Sequence, residues 1–141
     1  MSLKYKKDKN MKKIAFYMMM LVMSIGYAYA QGQADIKFEQ TTHNFGTFSE
    51  ENPVVTYTFK FTNTGDAPLV IHQAVASCGC TVPEYTQEPV LPGKTGTIKV
   101  TYNGTGRYPG HFKKSITLRT NAKAELLRLF IEGDMTAKDA K

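Results

Sequence analysis

The sequence predicts an all-β fold, an immunoglobulin-like antiparallel β-sandwich of about seven strands preceded by a signal peptide. Three observations support this prediction. Apolar and polar residues alternate along most of the chain after residue 35, as in strands with one buried face. Clusters of Gly, Pro and Asn separate these runs at short, regular intervals, which is typical of all-β sandwiches. The N-terminal 30 residues have a different pattern, a basic segment followed by an apolar one.

Residues 1–30 contain the three parts of a secretory signal peptide. Six lysines precede an apolar run over residues 14–25, and the small-x-small triplet Ala28-Tyr29-Ala30 follows. The run is shorter than the roughly 20 residues that a membrane-spanning helix needs, so cleavage is favoured over an uncleaved membrane anchor. We expect cleavage between Ala30 and Gln31, and therefore a periplasmic or secreted protein that meets the membrane only through its export signal.

The positive charge of the chain belongs to this N-terminal segment. The chain has 18 basic and 12 acidic residues, a net charge of +6. Residues 1–30 hold six of the basic residues and one of the acidic ones, which leaves 12 and 11 in the remainder. A near-neutral domain has no charge excess of the kind that nucleic-acid binding needs, so we expect no nucleic-acid partner.

The chain after residue 30 is long enough for one domain. We assign residues 31–35 to a short linker, 36–135 to the β-sandwich and 136–141 to a polar tail. Alternation predicts strands over residues 36–39, 55–62, 97–102, 115–119 and 127–132, and a more buried strand over 69–76. The chain has no Trp, so we expect an aromatic core built from other residues, namely Phe45, Tyr57, Phe59, Phe61 and Tyr102.

Several motifs resemble a known bacterial family. They are His-Asn-Phe-Gly-Thr at residues 43–47, Phe-Lys-Phe-Thr-Asn-Thr-Gly at 59–65, Ser-Cys-Gly-Cys-Thr-Val-Pro at 77–83, Pro-Gly-Lys at 92–94 and Ile-Glu-Gly at 131–133. Together they resemble the family called domain of unknown function 1573, over residues 36–135. The resemblance implies an exported, immunoglobulin-like domain related to Hydin-type and major-sperm-protein-type domains. It implies no reaction.

The Cys-Gly-Cys sequence at residues 78–80 is the strongest chemical feature of the chain, which has no other cysteine. Cys78 and Cys80 could be two buried thiols, a disulfide, a redox-active dithiol or half of a metal site. Residues i and i+2 of a strand lie too far apart for a disulfide, so a bond requires a bend, which Gly79 permits. No basic residue adjoins the pair in sequence to activate a thiol. A zinc site needs about four ligands, and His43, His72 and His111 lack ligand spacing; we therefore expect no metal and no cofactor.

Arg107 and Tyr108, in the glycine-rich segment 104–111, are the residues that we select as a partner surface. Both residue types are enriched at binding hot spots, and the segment reads as a hairpin connection. We find no catalytic motif. The sequence therefore favours an exported, non-enzymatic domain that acts as a protein-interaction or structural module of the cell envelope, with another envelope protein as its partner. The alternative is a thiol-redox or metal-binding protein acting through Cys78 and Cys80.

Overall fold

The computed structural model describes residues 2–25 and 32–139, in two compact units that comprise residues 1–31 and 32–141. The first unit contains one helix, α1, at Ser2–Ile25. In the part of the chain that the structure describes, no helix is both long enough and apolar enough to cross a membrane. The predicted cleavage site between Ala30 and Gln31 lies outside the described residues.

The second unit is a sandwich of two four-stranded sheets. Sheet 1 has the strand order β1-β3-β6-β5, and sheet 2 has the order β2-β8-β7-β4. The strands are β1 Ile36–Phe38, β2 Thr42–Ser49, β3 Val54–Asn63, β4 Ile71–Ala76, β5 Thr81–Tyr85, β6 Thr95–Asn103, β7 Gly110–Thr120 and β8 Leu126–Thr136. The predicted all-β sandwich is therefore confirmed, with eight strands where about seven were expected.

One strand pair differs from the antiparallel prediction. β1 pairs with β3 in sheet 1, and after residue 38 the chain crosses to sheet 2, where β2 runs parallel to β8. The first two strands, β1 and β2, thus belong to different sheets. β2 was not among the predicted strands because its register shifts between Asn44 and Thr47, where Gly46 has a φ of 69°. Such an irregularity breaks the period-two pattern.

The predicted alternation defines the core. Along β3 and β6 the inward side chains Phe59, Phe61, Ile98 and Val100 are fully buried, as are apolar residues of β7 and β8 on the facing sheet. Of the predicted aromatic core, Phe59, Phe61 and Tyr102 are buried, whereas Phe45 and Tyr57 are partly buried against it. The sequence missed Phe112, which stacks on Tyr102 with ring centroids 3.9 Å apart.

The strand registers assign the connecting loops to two ends of the sandwich. The end where β3 finishes and β6 begins carries residues 32–35 and the β3–β4, β5–β6 and β7–β8 connections; we call it the N-terminal end. The opposite end carries the β2–β3, β4–β5 and β6–β7 connections and residues 137–139; we call it the cysteine end. The cysteine pair and the predicted partner residues, Arg107 and Tyr108, therefore lie at the same end.

Candidate functional site

The Cys-Gly-Cys sequence forms a turn that carries the chain from sheet 2 to sheet 1. β4 ends at Ala76 and β5 begins at Thr81, so the strand alternation does not continue through the two cysteines. Their Cα atoms are 5.3 Å apart and their sulfur atoms are joined as a disulfide. Of the arrangements that the sequence left open, the structure has the one in which the backbone bends and brings the two sulfur atoms together.

Hydrogen bonds hold this turn to both sheets. On one side, the Ser77 N–H donates to the Ser115 carbonyl at 2.8 Å, and the Ser115 N–H donates to the Ser77 hydroxyl at 3.1 Å. On the other side, the Asn103 N–H donates to the Cys80 carbonyl at 2.8 Å. The two cysteines are thus held between the end of β6 and the middle of β7, and their backbone position is set by the sandwich itself.

Gly79 makes the bend without a left-handed backbone conformation. Its φ is not among the positive values of this chain, and a Cβ atom built there meets nothing within 4 Å. The sequence interpretation assigned the bend to the conformational freedom of glycine. That freedom is not used here, because the geometry of the turn is one that an L-residue adopts.

The two cysteines have different surroundings. Cys80 is buried, with 6% of its surface exposed, and its sulfur lies 3.6 Å from the Thr81 hydroxyl. Cys78 is half-buried, and its sulfur accepts a hydrogen bond from the Cys80 N–H at 3.0 Å. The Arg107 guanidinium lies 3.9 Å from the same sulfur. A cationic neighbour of Cys78 therefore exists, although none adjoins it in sequence.

Arg107 reaches Cys78 from the β6–β7 loop, 29 residues further along the chain. The loop is organised locally: the Thr105 N–H donates to the Asn103 side chain at 3.0 Å, and the Arg107 N–H donates to the Gly104 carbonyl at 3.0 Å. Gly106 has a φ of 73°, a conformation that favours glycine. The loop leaves Tyr108 with 96% of its surface exposed, next to an exposed Arg107.

A cleft of about 510 Å³ adjoins Arg107 at the cysteine end. Its acidic residues, Glu50 and Glu51, are engaged by Lys138, whose N–H donates to Glu50 at 2.6 Å and whose ammonium lies 3.9 Å from Glu51. Within residues 32–139, no carboxylate forms an ion pair with Arg107. The guanidinium beside Cys78 therefore has no ion-pair partner within residues 32–139.

The three histidines lie apart from the cysteine pair. His43 on β2 stacks on Tyr57, His72 is exposed on β4, and His111 accompanies Asp134 on the outer side of sheet 2 at 3.0 Å. Among the described residues, no group of three or more His, Cys, Asp or Glu side chains could hold a metal ion. Among these residues, the alternative of a metal half-site at Cys78 and Cys80 therefore gains no further ligand.

Sequence reasoning also missed a buried polar residue at the N-terminal end. Asn63 closes β3 and is fully buried. Its side-chain amide donates to the Ala67 and Val90 carbonyls at 2.7 and 2.8 Å, and its side-chain carbonyl accepts from the Gly65 N–H at 3.0 Å. In the sequence, Asn63 was noted only as part of the motif at 59–65, whereas in the structure its side chain joins the β3–β4 loop to the β5–β6 loop.

The fold and the site together define an immunoglobulin-like β-sandwich, of the class that includes PapD-like domains. The chain belongs to the family described as Protein of unknown function (DUF1573), whose model matches residues 36–135. The resemblance seen in the sequence is confirmed. No curated protein matches the chain.

Solved structures share the fold at low sequence identity. A protein of unknown function from Porphyromonas gingivalis W83 is 14% identical with a TM-score of 0.64, over 77% of this chain and 50% of that one. The ASH/PapD-like domain 7 of human CEP192 is 10% identical with a TM-score of 0.59, over 76% and 89%.

A third structure is an enzyme. The secreted serine protease VesC from Vibrio cholerae is 12% identical with a TM-score of 0.54, over 72% of this chain but 23% of the protease. The present chain spans about half the length of the Porphyromonas protein. These similarities concern the fold.

Proposed function

We propose that this chain is an exported, non-enzymatic immunoglobulin-like domain that binds another protein of the bacterial cell envelope. The contact surface that we propose is the cysteine end, with Arg107 and Tyr108 at its centre. Export rests on the signal-peptide pattern of residues 1–30, and the proposed envelope partner follows from that compartment.

The observation that carries this proposal is the exposure of Tyr108. A tyrosine ring with 96% of its surface in water is a large apolar group that the described part of the chain leaves uncovered. Tyr and Arg dominate the energetics of protein interfaces because they combine a large contact area with polar groups. Two further apolar side chains, Val54 and Val82, are about half exposed near the cysteine end of sheet 1. The cysteine end thus offers several groups that a partner would remove from water.

Site-specific photo-crosslinking in cells that produce the full chain tests the surface. A photoreactive phenylalanine in place of Tyr108 is expected to give a discrete adduct with one envelope protein, which mass spectrometry identifies. The matched control carries the same residue in place of Leu126, which is 65% exposed at the N-terminal end. Adduct formation at 108 and not at 126 supports the proposal. The same adducts at both positions, or none at either, would contradict it.

Truncation of Arg107 and Tyr108 to alanine measures how much these side chains contribute to the affinity for the partner. We expect the Arg107→Ala/Tyr108→Ala variant to bind the identified partner about 30-fold more weakly, because hot-spot truncations cost about 2 kcal/mol or more. Both side chains are exposed, so the thermal midpoint of the variant is expected to stay close to that of the wild type. Undiminished binding by a folded variant would exclude this loop as the interface.

A further inference from the structure

We propose that Cys78 and Cys80 form a redox-active disulfide that oxidises dithiols of exported peptides or proteins, and that Arg107 is a positioning residue that stabilises the reduced pair. Three observations carry this inference: the unequal burial of the two cysteines, the polar contacts of the Cys78 sulfur, and the guanidinium beside it, which has no ion-pair partner within residues 32–139. The inference goes beyond the proposed binding function and does not depend on it; it replaces the non-enzymatic part of that proposal with a thiol-oxidising activity.

Unequal burial decides which sulfur reacts. Thiol–disulfide exchange requires a thiolate to approach one sulfur directly, while the other sulfur leaves. Cys80 is 6% exposed beneath the turn, whereas Cys78 is half-buried at the surface of the cysteine end. An incoming thiolate therefore reaches the Sγ atom of Cys78, and the Sγ atom of Cys80 is the leaving group. The Thr81 hydroxyl, 3.6 Å from that sulfur, can donate a hydrogen bond to it.

The contacts of Cys78 favour negative charge on its sulfur. The Cys80 N–H points at this atom from 3.0 Å, and the Arg107 guanidinium lies 3.9 Å away. Hydrogen-bond donors and cations beside a cysteine stabilise its thiolate over its thiol. Of the acids that line the neighbouring cleft, Glu50 accepts from the Lys138 backbone N–H and Glu51 pairs with the Lys138 ammonium; neither forms an ion pair with Arg107. These contacts thus stabilise the thiolate of reduced Cys78, although no charged residue adjoins Cys78 in the sequence.

The exchange consumes one substrate dithiol and balances in two steps. A thiolate of the substrate attacks Cys78 Sγ; the Cys78–Cys80 bond breaks, a mixed disulfide forms, and Cys80 leaves as a thiolate that takes up a proton. The second thiol of the substrate then loses its proton and attacks the first substrate sulfur, which is bonded to Cys78 in the mixed disulfide. This attack expels the Cys78 thiolate. The products are an oxidised substrate, a Cys80 thiol and a Cys78 thiolate, so two electrons and one proton have moved to this protein and the second proton of the substrate dithiol is released to solvent.

The direction of transfer follows from the same contacts. A disulfide becomes a stronger oxidant when its reduced form is stabilised, and a stabilised thiolate is also a better leaving group. Arg107 and the Cys80 N–H act on the reduced state of Cys78, so they favour acceptance of electrons from a substrate. An oxidising, exported setting is the one in which such a pair would be returned to the disulfide by the surroundings.

Equilibration of the folded full-length protein with glutathione buffers at pH 7 tests the role of Arg107. The reduced fraction is measured by alkylation and mass spectrometry without denaturant. For Arg107→Gln we expect an equilibrium shifted about two- to tenfold toward the disulfide, the range for one partly exposed charge beside a thiolate. Arg128→Gln removes an equal charge from the third residue of β8, toward the N-terminal end, and is expected to match the wild type. Equal shifts in the two variants, or reduction that occurs only in denaturant, would overturn the proposal.

Single-cysteine variants test which sulfur reacts. With Cys80→Ser, the remaining Cys78 is expected to form a mixed disulfide with oxidised glutathione at least about tenfold faster than Cys80 does in Cys78→Ser, because reactivity follows thiolate character and access. Thermal unfolding of each variant verifies that it is folded. A faster Cys80 would contradict the assignment. Since both tests use only small thiols, they can fail while the proposed protein contact at the cysteine end stands, and the reverse is also possible.

Discussion

Asn63 shows how one buried polar side chain organises an end of the sandwich. Its amide and carbonyl groups bond to Ala67, Val90 and Gly65, and its Oδ1 also lies 3.4 Å from the Asp35 N–H. These partners belong to the N-terminal segment and to the β3–β4 and β5–β6 loops. A fully buried amide with all its groups satisfied stabilises the fold mainly because its loss would leave its partners unpaired.

We therefore expect Asn63→Ala to lower the free energy of unfolding by about 3 kcal/mol, because each buried group left unpaired costs about 1–3 kcal/mol. Urea unfolding of the full chain measures the change. The matched control is Asn103→Ala, which removes one exposed side-chain contact to the Thr105 N–H and should cost less than about 1 kcal/mol. Equal losses in the two variants would refute the role that we assign to Asn63.

Arg107 and Asn63 also mark what could not be predicted from the sequence at the level of single residues. Arg107 was selected as an exposed contact residue, whereas Asn63 was noted only as part of a motif; Arg107 lies in the β6–β7 loop, and Asn63 is the last residue of β3. Their other partners, Cys78 for Arg107 and Val90 for Asn63, are 29 and 27 residues away in sequence. Such contacts depend on which loops the strand pairing brings to the same end of the sandwich. Period-two alternation predicts strands but does not predict how the strands pair.

Individual strands were predictable to the extent that one of their faces is buried. β3, β6, β7 and β8 were found because their inward residues repeat at every second position. β5 was missed since it has only five residues and includes Pro83, which cannot donate a backbone hydrogen bond and is tolerated at the edge of a sheet. Short or irregular edge strands thus account for the elements that the sequence did not reveal.

β2 is attached to the sandwich partly by an aromatic stack between the two sheets. The ring centroids of His43 and Tyr57 are 3.6 Å apart, with an interplanar angle of 6°. The His43 ring also contacts Phe45 edge-on, with centroids 4.8 Å apart. Burial lowers the pKa of His43 below its ordinary value of 6.5. The fold therefore favours neutral His43 over the protonated form.

This contact predicts a pH dependence of stability. The contribution of neutral His43 is complete above the unfolded-state pKa and is lost as the pH falls through the lower folded-state pKa. We expect the thermal midpoint to drop between pH 7 and pH 5, and His43→Gln to drop less over the same range. His72→Gln, at an exposed position of β4, is the control and should keep the wild-type dependence. Identical pH profiles for the His43 variant and the wild type would contradict the prediction.

At the level of the whole molecule, the chain divides into two compact units one residue after the predicted cleavage position. The two compact units comprise residues 1–31 and 32–141, and the predicted cut between Ala30 and Gln31 falls next to that division. All eight strands lie after it. Loss of residues 1–30 would therefore remove no strand of the sandwich, and it would take away six lysines and one aspartate, which leaves a nearly neutral domain.

We accordingly expect the full chain, produced in a Gram-negative host, to accumulate outside the cytoplasm as a form that begins at Gln31. Signal peptidase requires small residues at positions 28 and 30, which here are both alanine. Cell fractionation and intact-mass measurement give the location and the new N-terminus. Ala28→Lys should block processing and leave the 30 residues attached, whereas Gln33→Lys, beyond the site, should not. Unprocessed protein in the cytoplasm of the wild-type strain would refute export, and would also remove the oxidising setting in which Cys78 and Cys80 are proposed to act.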